Sequence, residues 1–255
     1  MHRFPSEQQF LLALQAAAVV GLCVRFFWTG LYRIYVYFFI YLLLLIAQAI
    51  VLSSVPFHTN AYRDAFLVTE GLIACSYSLV VLELYSIVLR DLAGIASASR
   101  RYIKITLALA IGFSALLLVF EKTPGSTVAR FLIFERVAVS SLVVFVILIS
   151  VFLLYYPIHL SRNAVVYSIG YAFYFLIKAA ALFISNVDNR WLRQFDTLRI
   201  VAATACLLFW TFALSRRGES GAAITLGHHW KPEDEERVLS RLQAINASLL
   251  RAGRK

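Results

Sequence analysis

Cysteine is scarce in this chain of 255 residues: Cys23, Cys75 and Cys206 are the only ones. Each lies inside an apolar run. That argues against a disulfide framework, and the spacing is not that of a metal ligand set, so no metal site is expected. Histidine is missing from the apolar runs. His2, His58, His159, His228 and His229 all fall outside them, which argues against haem held between two histidines. Catalytic signatures are missing too: there is no Gly-x-Ser-x-Gly, no His-Glu-x-x-His and no phosphate loop. No reaction is named by the sequence, no cofactor is implied, and an enzyme ranks last among the functional classes. Internal repeats and low-complexity tracts are also lacking, and no segment alternates as a barrel strand would.

What fills the chain instead is apolar sequence. Hydrophobic residues make up 61%, more than a soluble domain carries, and lipid is the solvent that accommodates the excess. Crossing a bilayer takes about 20 apolar residues. Seven such segments are predicted, at about 10–29, 35–53, 65–89, 102–120, 128–155, 163–185 and 197–214. Breakers separate them, among them Ser53-Ser54-Val55-Pro56, Thr123-Pro124-Gly125-Ser126 and Pro157. The first segment is too long for a signal peptide, and Glu7 offsets Arg3. The expected fold is all-α: a seven-helix transmembrane domain over 1–217 and a cytoplasmic tail over 218–255.

Net charge is +10. In a membrane protein this reads as topogenic charge and affinity for anionic headgroups, not as nucleic-acid binding. With the N-terminus outside, the cytoplasmic side collects Arg25, Arg33, Arg90, Arg100, Arg101, Lys104, Arg162, Arg216, Arg217 and the basic tail. The outer side holds Arg3, Arg63, Lys122, Arg130, Arg190, Arg193 and Arg199. The tail and the two Arg-Arg pairs tip the balance to N-out, C-in. The expected location is the plasma membrane, multi-pass, which is the inner membrane in a bacterium.

A charge at mid-bilayer costs roughly 2.5–3.5 kcal/mol, so each intramembrane ionisable group needs a reason. Glu70 lies about five residues below the outer surface in the third segment. Glu135 and Arg136 lie about seven below it in the fifth, and Lys178 about seven before the outer end of the sixth. Gln15 and Gln48 are about five from the same side, and Asp196 and Arg199 begin the seventh segment. At 1.5 Å per residue these depths agree to within about a turn. In the sixth segment Tyr167, Tyr171, Tyr174, Lys178 and Ser185 share one helix face, which should look inward because lipid cannot solvate it. Ser140 stands one turn from Arg136 on a second such face. The fourth segment has no ionisable group at this depth and is expected to face lipid.

The cluster supports a pocket for a polar or charged small molecule reached from the outer side. Its residues are Gln15, Gln48, Glu70, Glu135, Arg136, Tyr171, Tyr174, Lys178, Asp196 and Arg199. Ion pairs that only orient helices are the competing reading. Glu83, thirteen residues from Glu70 on another face, is expected to pair with Arg25 or with Arg100 and Arg101 at the inner end. Below the outer layer the segments read mainly as Leu, Val, Ile and Phe, which suggests a pocket closed at its base.

Chain length, helix count and N-out topology are similar to those of microbial rhodopsins, which bind retinal through a lysine of their last helix. The last segment here, Thr197–Leu214, has no lysine, and Lys178 lies in the sixth. The likeness therefore stops at architecture and implies no retinal. The tail opens with Gly218-Glu219-Ser220-Gly221, read as a flexible exit. An amphipathic helix follows over about 232–251, started by Pro232 and a run of acids. Its Val238, Leu242, Ile245 and Leu249 repeat at helical spacing and are expected to be covered by the bundle, a second copy or a cytoplasmic partner. A receptor or sensor is the preferred reading, with a small transporter or channel as the rival.

Overall fold

The computed structural model describes residues 6–56, 59–88, 127–155, 159–187, 192–220, 224–225, 240–248 and 251. Six long helices dominate: α1 Ser6–Thr29, α2 Val36–Ser54, α3 Asn60–Val88, α4 Thr127–Tyr155, α5 Arg162–Val187 and α6 Leu192–Ala213. A 3-10 turn, Leu31–Arg33, links α1 to α2, and a short α7, Arg216–Ser220, follows α6. Two dipeptides pair antiparallel, β1 His159–Leu160 with β2 Ile224–Thr225. The predicted segments at 10–29, 35–53, 128–155 and 163–185 fall on α1, α2, α4 and α5; α3 and α6 begin five residues ahead of theirs. The fourth, at 102–120, lies outside the described residues.

Among the described residues, four helical stretches are long and apolar enough to cross a bilayer: Phe10–Thr29, Val36–Ser54, Asn60–Val88 and Arg162–Ala181. Their outward faces are aliphatic or aromatic, with Phe27, Val68 and Ile169 all exposed. This is the composition of a helical membrane protein. Each of the six long helices packs on its neighbours in the order α1, α2, α3, α4, α5, α6, and α6 closes the ring on α1. α5 also reaches α3 across the ring. It is the most enclosed span, with 56% of its window buried against 28% or less in the other three.

Local sequence sets the ends. Gly30 closes α1 in the left-handed region at φ 72°, where a Cβ would be strained. Gly170 lets α6 approach α5, because a Cβ there would overlap the indole of Trp210. Two further ends are closed from across the bundle. Glu83 of α3 accepts hydrogen bonds from the backbone N–H groups of Tyr37 (2.9 Å) and Phe38 (3.1 Å), satisfying donors that a helix leaves free in its first turn. Arg25 of α1 donates to the carbonyl of Leu214 (2.9 Å), just past the end of α6. The expected Glu83–Arg25 pair is therefore replaced by two helix caps; Arg100 and Arg101 lie outside the described residues. The carboxylate finds stronger compensation in backbone amides that have no other partner.

The tail departs from a flexible exit. Glu219 is held on α7 by three donors: Tyr35 (3.0 Å), Ser161 (3.3 Å) and Asn163 (3.3 Å). Residues 240–248 are helical. Leu242 is buried in the main core cluster, while Ile245 is 53% exposed. The expected covered stripe thus narrows, since the two side chains lie three residues apart and only one meets the core. Val238 and Leu249 lie outside the described residues.

Candidate functional site

Lys178 sits at the centre of the intramembrane cluster. α5 carries Asn163, Tyr167, Tyr171, Tyr174 and Lys178 at spacings of three and four, and all five are buried. Its Nζ lies 2.6 Å from Oε1 of Glu135 on α4 and 3.4 Å from Oε1 of Glu70 on α3. The contact with Glu135 is the shorter of the two ion pairs. Nζ also donates to the Tyr77 hydroxyl at 2.7 Å and stands 4.4 Å from the centre of that ring. Gln48 of α2 donates to the other oxygen of Glu70 at 2.8 Å. Arg199 of α6 is close enough to act electrostatically on both Glu70 and Lys178.

Burial is what gives this arrangement weight. Lys178 is 3% exposed and Glu135 is fully buried. In so dry a setting neither charge persists without the other, and loss of one strands its partner. Neither oxygen of Glu135 accepts a hydrogen bond among the described residues, so the ion pair with Lys178 is what holds its charge. Because the site draws on α2, α3, α4, α5 and α6, any change at Lys178 must be felt by several helices at once.

From Lys178 a line of phenols runs toward the opposite end. Tyr77 and Tyr174 hydroxyls are 3.0 Å apart, and Tyr41 donates to Tyr174 at 3.4 Å. Tyr171, the next on α5, is buried with no partner for its hydroxyl among the described residues. Tyr167 then donates to Glu83 at 3.1 Å, and Tyr167 and Tyr35 rings touch at 5.0 Å. Asn163 completes the face, donating to Ser215 O at 2.7 Å and accepting from its N–H at 3.2 Å. The base of the site is therefore more polar along α5 than the expected layer of mainly Leu, Val, Ile and Phe.

Of the ten residues read as the site, Gln48, Glu70, Glu135, Tyr174 and Lys178 join directly or through Tyr77. Arg199 lies alongside. Tyr171 lines the same face, its hydroxyl without a partner among the described residues. Gln15 on α1 makes no hydrogen bond among the described residues. Arg136 is half-buried and makes neither an ion pair nor a hydrogen bond among the described residues. Adjacent residues point about 100° apart on a helix, and α4 turns Glu135, Val139, Leu142 and Val146 inward instead. Ser140 is accordingly exposed. The side chain of Asp196 lies outside the described residues.

Tyr77 and Tyr41 also belong to the site, and the sequence carries a signal for both. Tyr77 follows Glu70 by seven residues and Tyr41 precedes Gln48 by seven, two turns on the same face. The cap formed by Glu83 and the hub at Glu219 had no such signal. Among the described residues no three His, Cys, Asp or Glu side chains gather as a metal site would require. Comparison with protein-family models, curated proteins and solved structures finds no match to this chain.

Proposed function

We propose that this is a seven-helix plasma-membrane receptor or sensor, N-terminus outside and C-terminus inside, whose Lys178 cluster takes a polar small molecule from the outer side. The observation that carries the reading is the single buried face of α5. One end of that face holds Lys178 against Glu135 and Glu70; the other holds Asn163 against Ser215 and Glu219. A stiff helix, some fifteen residues or about 22 Å between these points at 1.5 Å each, can transmit a shift at the cluster to the exit of the chain. The helix at 240–248 is then the element that a cytoplasmic protein, or a second copy of the chain, would read.

The test is amide exchange on the purified protein in nanodiscs, comparing wild type with Lys178→Met. Changed protection at 216–220 and 240–248 supports the reading. A response confined to α3, α4 and α5 ends it. Reporter fusions at Lys255 and between residues 121 and 126 test the topology, with a cytoplasmic signal expected only from the first.

A second reading, a small transporter or channel, is favoured by the phenol line from Tyr77 to Tyr167. Proteoliposomes loaded with a pH-sensitive dye discriminate: proton uptake that is lost in Tyr174→Phe supports transport, and tight vesicles support the sensor.

A further inference from the structure

We propose that Glu219 is a releasable latch that holds the chain's exit to the end of the bundle opposite Lys178, so that loss of this one carboxylate frees α7, β2 and the helix at 240–248 together. The latch concerns the regulation of the sensor and rests on that reading only for its trigger, a shift of α5 that draws Asn163 away from Glu219.

One oxygen does the holding. Oε2 of Glu219 accepts from the Tyr35 hydroxyl at 3.0 Å, from the Ser161 hydroxyl at 3.3 Å and from Nδ2 of Asn163 at 3.3 Å. The donors come from separate places: Tyr35 just before α2, Ser161 between β1 and α5, and Asn163 in the first turn of α5. Tyr35 and Asn163 are fully buried. Hydrogen bonds to an ionised acceptor are stronger than neutral ones, which favours the closed arrangement. All three donors are neutral, however, and among the described residues Glu219 makes no ion pair. Water can therefore replace every partner when the segment lifts, and the closure is reversible.

The pieces beyond the latch are too small to stand alone. α7 has five residues, and β1 and β2 have two each. An isolated helix shorter than about 12 residues is marginal in water, and so is an isolated strand pair. Residues 240–248 are a short helix of the same kind, with Leu242 in the core cluster as its own hold. The chain is anchored just ahead of the latch. Arg25 donates to the carbonyl of Leu214 at 2.9 Å, and Asn163 pairs with both the carbonyl (2.7 Å) and the N–H (3.2 Å) of Ser215. The hinge therefore lies after Ser215. Gly218 makes closure possible, because a Cβ there would overlap Oδ1 of Asn163, and α7 seats directly on α5.

The test is amide exchange on full-length Glu219→Ala in nanodiscs. Exchange at 218–220, 224–225 and 240–248 should quicken together by about tenfold, the loss of a charged hydrogen-bond acceptor. Ser215, ahead of the hinge, and residues 174–178 of α5, beside Lys178, should keep their protection. A change confined to 218–220, or none, overturns the latch. Should Glu219→Ala not fold, Tyr35→Phe serves instead. It keeps the ring and removes one of the three donors, so exchange at the same three segments should quicken about threefold; no change there overturns the latch equally. In the Glu219→Ala background, Tyr35→Phe should add nothing, and a further rise would refute a shared contact. Release in Glu219→Ala with no response of 216–220 to Lys178→Met would refute the sensor and leave the latch standing. A response to Lys178→Met with no release in Glu219→Ala would do the reverse.

Discussion

Removing Lys178 while keeping its size, as in Lys178→Met, isolates the charge at the centre of the bundle. The pair with Glu135 spans 2.6 Å, and the two side chains are 4% and 1% exposed. At an effective dielectric of about 20 the gross attraction is about 6 kcal/mol. Desolvation of both ions consumes much of that, so the pair itself is a modest net stabiliser. Deleting one member is a different matter, because Glu135 is then buried with no counter-ion in contact among the described residues, at an expected cost of about 3–5 kcal/mol. For a chain of this size each kcal/mol moves the melting temperature by roughly 2–4 °C, giving a drop of about 6–20 °C. Glu135→Gln alone should be comparably harmful. The double variant Lys178→Met with Glu135→Gln should recover to within about 2 kcal/mol of wild type, a coupling energy in the range seen for contacting pairs. Melting in detergent can be followed by tryptophan emission, since Trp210 is buried in the core. A single variant costing less than about 1 kcal/mol, or a double variant no better than the singles, would refute the view that this pair is mutually dependent.

Glu83→Gln should cost about 1–3 kcal/mol, since one amide oxygen cannot serve both backbone donors. Its signature is amide exchange at Tyr37 and Phe38 at least tenfold faster. Gly170→Ala sets two effects against each other: a helix propensity gain of up to about 1 kcal/mol and an overpacking cost of about 1–3 kcal/mol. The overlap is with ring atoms of Trp210 that cannot rotate away, so a lowered melting temperature is expected. Leu242→Asp removes about 1.5–3 kcal/mol of side-chain burial. Protection of 240–248 should vanish while the bundle's melting stays near wild type; retained protection would mean that other contacts hold this helix.

Much of the site could be read from spacing. Lys178 with Tyr174, Tyr171 and Tyr167 is a face that lipid would not solvate, and the similar depths of Glu70, Glu135, Gln48 and Lys178 follow from helix rise alone. The choice between Glu135 and Arg136 could not be read this way. Neighbours on a helix share a depth but not a direction, and the rotation of α4 is set by how Val139, Leu142 and Val146 pack into the bundle. Ile245 is exposed where the stripe predicts cover for a related reason: periodicity defines an apolar face but not how much of it finds a partner.

The sequence by itself determined the class, the apolar helices and the residues that share each face, because apolar length and helical period are local properties. Tertiary structure alone decided which helix ends are capped and by whom. Glu83 meets the start of α2, Arg25 the end of α6, and Glu219 the donors of Tyr35, Ser161 and Asn163. For the two helix ends the reason is physical: backbone N–H and C=O groups are the same in nearly every residue, so no side-chain pattern announces which distant carboxylate or guanidinium will come to rest on them.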